Sequence, residues 1–286
     1  MKKVLSIFSF KLFLIIALFF FLVFIYAKLG FNHWPLVEAI DRPVLESGWS
    51  QPVSVGINTA SWESGAYISS DGNTIYYSFY PGNLVKDRAD GKIKTDLNIY
   101  YSEKPFNKSK VHTLSEAKWF ENGVMVVGSD FYYASDRNHL GINDIYKNGS
   151  LIINTPNQSE KDPHYCATRD ELYFDVGGVI YYLTDNQTVA LTAAVNNGGQ
   201  NIQPFLTKDC EQLYFVSNRG DGIHKILRSS RLSNNLWGEP ELVVSSKYGV
   251  ESPSLTDDNK TLFFVQILKS AKDELNADIL YVIREE

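Results

Sequence analysis

The chain has 286 residues, 44% apolar and 14% aromatic, which excludes a wholly disordered protein and leaves room for one large domain or two small ones. Its two Cys cannot form a stapling framework, and no CxxC or Cys/His cluster suggests zinc. Lys and Arg number 27 against 33 Asp and Glu, a net charge of −6 that argues against covering phosphate backbones, so no nucleic-acid partner is expected.

The first element is LFLIIALFFFLVFIYA, residues 12–27, an unbroken apolar run preceded by Lys2, Lys3 and Lys11. At 1.5 Å per residue it spans about 24 Å, a little under a bilayer core of about 30 Å, and Lys11 can snorkel while Val4 to Phe10 extend the apolar length. Two readings fit: an uncleaved anchor, or a signal peptide cut after Ala27, for which bulky Ile25 suits the small-residue rule poorly. Either predicts a transmembrane helix at residues 1–28 with the amino terminus in the cytoplasm and the rest exported to the periplasmic or extracellular side of the cell membrane. Without the four lysines of that segment the exported part keeps 23 basic and 33 acidic residues, a net charge of −10. Residues 29–48 read as a linker, and residues 49–286 as the folded domain.

That domain repeats. SGAYISSDGNTIYYS (64–78), ENGVMVVGSDFYYAS (121–135), DPHYCATRDELYFD (162–175), QPFLTKDCEQLYFVS (203–217) and SPSLTDDNKTLFFV (252–265) superpose without gaps on three apolar columns. Those columns are Ile75-Tyr76-Tyr77, Phe131-Tyr132-Tyr133, Leu172-Tyr173-Phe174, Leu213-Tyr214-Phe215 and Leu262-Phe263-Phe264. Their centres lie 56, 41, 41 and 49 residues apart, the spacing of propeller blades and not of helical solenoids. Ten residues before the centre stand Ala66, Asn122, Pro163, Pro204 and Pro253. A third strand follows in each unit, at Ile99, Ile145, Ile180, Ile226 and Ile279, and a fourth is predicted at 111–114, 150–154, 188–192 and 241–245. Nothing follows the Ile279 strand, so PVSV (52–55) is expected to complete the last unit and remove its open edge. The fold class is all-β, a five-bladed β-propeller of four-stranded antiparallel blades behind one N-terminal transmembrane helix. Long insertions fall at 79–97 and 266–278.

WGEPELVVSSKYGVESPSLTDDNKTLFFV (237–265), YFVSNRGDG (214–222) and SDRNHLGINDIY (135–146) resemble the WD40-like β-propeller repeat called PD40, of TolB-type periplasmic propellers. The likeness covers residues 49–286. Asn259 stands where the family's turn has Gly, the third unit lacks the Ser-x-Arg strand end, and the TolB propeller has a six-bladed form where this sequence shows five units. The resemblance implies a binding or scaffolding surface in the envelope for a protein, peptide or glycan, with no catalytic residue and no cofactor.

In a propeller, the loop into each first strand and the loop between the second and third strands share one face around the channel, where binding loops on a rigid scaffold belong. The lead-in loops place Glu63, Glu121, Asp162 and Glu251 there, and the other loops contribute Arg137, His139, Arg219, Asp221 and His224. Ser135-x-Arg137 and Ser217-x-Arg219 could grip a carboxylate or brace a loop, and their recurrence with the repeat favours bracing. His139 and His224 lack a third ligand, so no metal site is expected. Cys166, in a first strand, and Cys210, in a turn, hold different repeat positions and could pair only in an oxidising compartment. The alternative is a furanosidase-type glycoside hydrolase using Asp162 and Glu251 as paired carboxylates, since five-bladed propellers include such enzymes.

Overall fold

The computed structural model describes residues 15–18, 21, 33–92, 97–116, 118–234 and 236–285. The predicted membrane segment lies outside these apart from residues 15–18 and 21, which are helical. Among the described residues no helix is long and apolar enough to cross a membrane. The chain continues with α1 (Trp34–Ile40), β1 (Val44–Leu45) and β2 (Val53–Ser54). Unit I holds β3 (Trp62–Ile68), β4 (Thr74–Tyr80), α2 (Leu84–Ala89), β5 (Asn98–Glu103) and β6 (Lys110–Val111). Unit II is β7 (Glu121–Val127), β8 (Asp130–His139), β9 (Ile142–Lys147) and β10 (Ser150–Ile153). Unit III is β11 (Glu160–Cys166), β12 (Glu171–Val176), β13 (Val179–Thr184) and β14 (Gln187–Ala190), and α3 (Ala193–Asn196) follows it. Unit IV is β15 (Asn201–Leu206), β16 (Gln212–Ser217), β17 (Lys225–Ser233), β18 (Leu236–Trp237) and β19 (Glu241–Ser245), and unit V is β20 (Val250–Leu255), β21 (Thr261–Lys269) and β22 (Leu275–Ile283).

Within each unit the strands pair antiparallel in chain order, with β18 a side hairpin on β17. The last unit takes its fourth strand from the start of the chain, β2 pairing β22 through Val53↔Tyr281 and Ser54↔Leu280. The stretch read as a linker also supplies a strand, since β1 pairs β19 through Val44↔Ser245 and Leu45↔Val244. Between these two additions, Trp49 bridges Arg284, whose guanidinium lies 4.5 Å from the indole ring centre, and Glu46 holds Arg228 at 2.9 Å. The first strands touch one another in cyclic order, β3, β7, β11, β15, β20 and back to β3. At the closing seam a parallel pair, Ala277↔Trp62, joins β22 to β3.

Each sheet lies between two others, so both of its faces are covered and its strands read as continuous apolar runs instead of alternating ones. The sequence columns carry this packing: Ile75, Tyr133, Leu213, Phe215, Leu262 and Phe264 are completely buried, and Tyr173 nearly so. Burying such a side chain contributes about 1.5–3 kcal/mol. The turns after the first strands are chemically specified as well. Asp71, Asp209 and Asp258 each accept a bond from the Ser or Thr two residues earlier, at 2.6 Å, and from the backbone N–H two residues later.

Two details depart from the sequence expectation. The pairing register places Tyr67 opposite Tyr76 but Met125 opposite Tyr132, so the first turn of unit II is two residues shorter than its counterparts and Val124, not Asn122, aligns with Ala66 and the three prolines. The 266–278 insertion is largely strand, because β21 and β22 stay paired out to Lys269↔Leu275. The 79–97 insertion contains α2, capped where the Asn83 side chain accepts from Lys86 N–H, and Asn83 Nδ2 reaches the Leu275 carbonyl at 2.9 Å. The two insertions therefore touch.

Candidate functional site

The five first strands share one irregularity. Each carries a β-bulge, and the bulged residue takes a left-handed backbone: Gly65 (φ 60), Gly123 (φ 59), Asp162 (φ 50), Gln203 (φ 53) and Ser252 (φ 54). A bulge re-aims a strand locally, and five in cyclic order turn five residues toward the axis. They are linked from unit to unit. Gly65 N–H donates to Ser252 Oγ (3.1 Å), Ser252 N–H to Gln203 Oε1 (2.7 Å), and Gln203 N–H to Asp175 Oδ2 (3.3 Å). Gly123 is required by its neighbour, because a Cβ there would stand 2.6 Å from Asp162 Cα. Beyond the bulges the axis narrows to a space of about 40 Å³ lined by Pro163, Pro204 and Pro253. On the other side it opens into a cavity of about 950 Å³.

That cavity gathers Asp162, Asp175, Glu251, Lys161, Asn122 and Gln203, with Phe120, Tyr248 and Ile267 among its apolar walls. The Asp162 and Asp175 carboxyl groups hydrogen-bond each other, an arrangement that requires one proton between them. Burial pushes both upward, while Lys161 opposes the shift at each. Glu251 pairs with His224 Nδ1 at 2.8 Å, and that bond raises the imidazole above its ordinary value.

Of the nine residues proposed from sequence for this face, Asp162 and Glu251 line the cavity, and His224 joins them through Glu251. Glu63 and Glu121 occupy another position, two residues before the bulge, together with Glu160, Asn201 and Val250; all five are fully buried. Arg137 forms a close ion pair with Glu121, stacks on Tyr133 and Tyr146, and binds Ser135 Oγ and the Leu114 carbonyl. Arg219 is its counterpart in unit IV, bound to Ser217 Oγ, Asn201 Oδ1 and the Ala194 and Val195 carbonyls, so both arginines tie down the preceding loop. Asp221 closes its own turn on Ile223 N–H and Lys225, and His139 stands exposed at the tip of β8.

Asp175 was missed from sequence, although a signal existed. It follows the third apolar column, where the other units carry Ser78, Ala134, Val216 and Val265, and it faces Lys161 across the sheet. A lone charge in a column of small and apolar residues marks a departure from pure packing.

Two buried carboxyl groups lie outside the cavity, at the closing seam. Glu63 Oε1 accepts from Thr59 Oγ1 at 2.6 Å while its Oε2 has no partner, and Asp278, 3% exposed, accepts from Asn276 Nδ2 at 2.9 Å. Burial pushes Glu63 up to about 7; burial, then the charges of Glu63 and Glu38, push Asp278 up to about 8.

Cys166 and Cys210 are bonded, with Cα atoms 6.1 Å apart. Cys166 ends β11, and Cys210 takes the left-handed place in the next unit's turn, so neighbouring units bring two different repeat positions side by side.

The sequence matches no family model and no curated protein. Among solved structures, the chain is similar to a thermostable family-43 glycoside hydrolase, with 13% identity and TM-score 0.51 over 81% of this chain and 92% of that one. It is also similar to a putative TolB from Agrobacterium tumefaciens, with 14% identity and TM-score 0.48 over 86% of this chain and 99% of that one. At these identities the likeness shows the fold alone, and that fold is a β-propeller.

Proposed function

We propose that the chain is a membrane-anchored envelope protein whose five-bladed, PD40/TolB-like propeller binds a protein, peptide or glycan through the cavity at the mouth of its channel. The observation that carries this reading is the convergence of Asp162, Asp175, Glu251 and Lys161 on a cavity of about 950 Å³ that the bulge residues Gly65, Asp162 and Gln203 help to line. Such a pocket, with apolar walls and a few directed polar groups, is the usual form of a binding site. The cyclic contacts of five first strands support the blade number, and the Cys166–Cys210 bond suits an oxidising compartment outside the cytoplasm.

A second reading, a glycoside hydrolase, is favoured by Asp162 and Glu251 sharing the cavity wall and sensing each other's charge. That reading needs the Asp162 and Glu251 carboxyl groups held roughly 5 Å or more apart with the sugar bond between them. The test is a pull-down of the full-length protein from envelope extract beside Asp162→Asn/Asp175→Asn. A partner recovered only by the unaltered protein supports binding at the mouth, and equal recovery of every partner removes the cavity from the reading. Turnover of aryl furanosides that is lost in Glu251→Gln would establish the hydrolase instead.

A further inference from the structure

A surface helix ordinarily turns its polar side chains to water, and α1 does the reverse. Its inward positions are Trp34, 4% exposed, and half-buried Val37 and Glu38. Its outward positions, Pro35, Leu36, Ala39 and Ile40, are all apolar and all exposed, with Leu36 at 59% and Ile40 at 86%. Val44, just beyond, is 66% exposed. The helix thus turns its half-buried carboxylate toward the domain, on the side of Ser54, and holds two large aliphatic side chains away from it.

Two observations say what covers this face. The apolar run ends at Ala27, and the residues from Lys28 to His33 can reach at most about 20 Å when fully extended. A chain anchored by that run therefore keeps α1 close to the bilayer surface. The patch is also rimmed by cations. Lys247 and Lys269 stand over Tyr248, their Nζ atoms 5.0 and 5.8 Å from its ring centre; Lys269 is already paired with Asp273 at 2.5 Å, whereas Lys247 acts on Asp41 at the C-cap of α1. Arg42 follows directly and is exposed. Aliphatic side chains beside Lys and Arg are the composition of a segment lying in the interfacial zone, with the apolar groups below the headgroups and the cations at the phosphates.

We propose that Leu36, Ile40 and Val44, with Arg42 and Lys247 at their edge, dock into the anionic headgroup region of the membrane that tethers the chain. This rests on the reading of residues 12–27 as an anchor. Docking holds the propeller on the bilayer in a fixed attitude. Because α1 packs on β21, and Ile267 of β21 and Tyr248 line the cavity, the unit V side of the mouth then lies beside the lipid surface.

The test uses the full chain with benzoylphenylalanine at position 40, or at position 151 on the outer strand of unit II, in vesicles of phosphatidylethanolamine and phosphatidylglycerol. Flotation is read first, and a chain that does not float with the vesicles loses its anchor and this inference with it. In floated protein, irradiation is expected to give a phospholipid adduct from position 40 and none from position 151, with the yield falling roughly tenfold when phosphatidylglycerol is omitted. A floated chain that labels a second copy of itself from position 40, or labels lipid equally from both positions, overturns the docking. A yield indifferent to the anionic lipid overturns the part given to Arg42 and Lys247.

Discussion

Replacing Asp278 by Asn is expected to remove a pH dependence of folding that originates at the seam between units V and I. In the folded protein this carboxyl is pushed from 3.8 to about 8 by burial and by the facing charges of Glu63 and Glu38. The folded state therefore keeps a proton that the unfolded chain has already lost, so stability falls as the pH rises from about 4 to about 8 and levels off above that. At about 1.4 kcal/mol per unit the loss is on the order of 5 kcal/mol. Asn at this position can still accept from Asn276 Nδ2, which now donates to Asp278 at 2.9 Å, but has no proton to lose. The two proteins should be nearly equal in urea unfolding near pH 4, and the variant should gain steadily to about pH 8. Urea is the denaturant of choice because guanidinium would screen the charges. Unfolding free energies that run parallel for the two proteins from pH 4 to pH 9 would refute the reasoning, since titrating groups that do not interact with Asp278 cancel in the difference.

Three further expectations follow from the same structure. Cys166→Ala/Cys210→Ala opens a link between residues 44 apart, worth about 4 kcal/mol by loop-closure entropy, and should lower the urea midpoint as reductant does for the native protein. Gly123→Ala forces a Cβ to within 2.6 Å of Asp162 Cα at a left-handed position, so a loss of at least about 1–2 kcal/mol should accompany weaker binding at the mouth, both read on the purified variant. Arg219→Lys gives up the fork that joins Asn201 Oδ1 to the Val195 carbonyl, and about 2–3 kcal/mol of local protection should disappear from amide exchange in α3 while the remaining units keep theirs.

The repeat was legible because the apolar columns report a physical requirement, a strand buried on both faces, and those columns are the second strands of the structure. The completion of unit V by residues 53–54 was legible for the same kind of reason, since an unpaired edge has to be resolved somewhere. The strand content of residues 34–45 and 266–278 was harder to read, because short edge pairings and a long hairpin leave no column to compare. The site was only partly legible. Glu63, Asp162 and Glu251 are all acids close to a first strand, yet they hold three successive positions around a bulge, and a one-residue slip sends a side chain to the opposite face. Sequence spacing does not show the bulge. It does show Asp175, as the one acid in its column.

The first strands of the chain, β1 and β2, pair with β19 and β22, which are among the last. A chain made in order from its amino terminus can assemble units I to III as they appear, but its own beginning must wait, unpaired, for the end to arrive. Ring closure is then a late and non-local event that bears the largest loop entropy in the molecule. Under the anchoring proposed above, an amino terminus held at the membrane would restrict that search, and such a tether would act on the rate of maturation as well as on location.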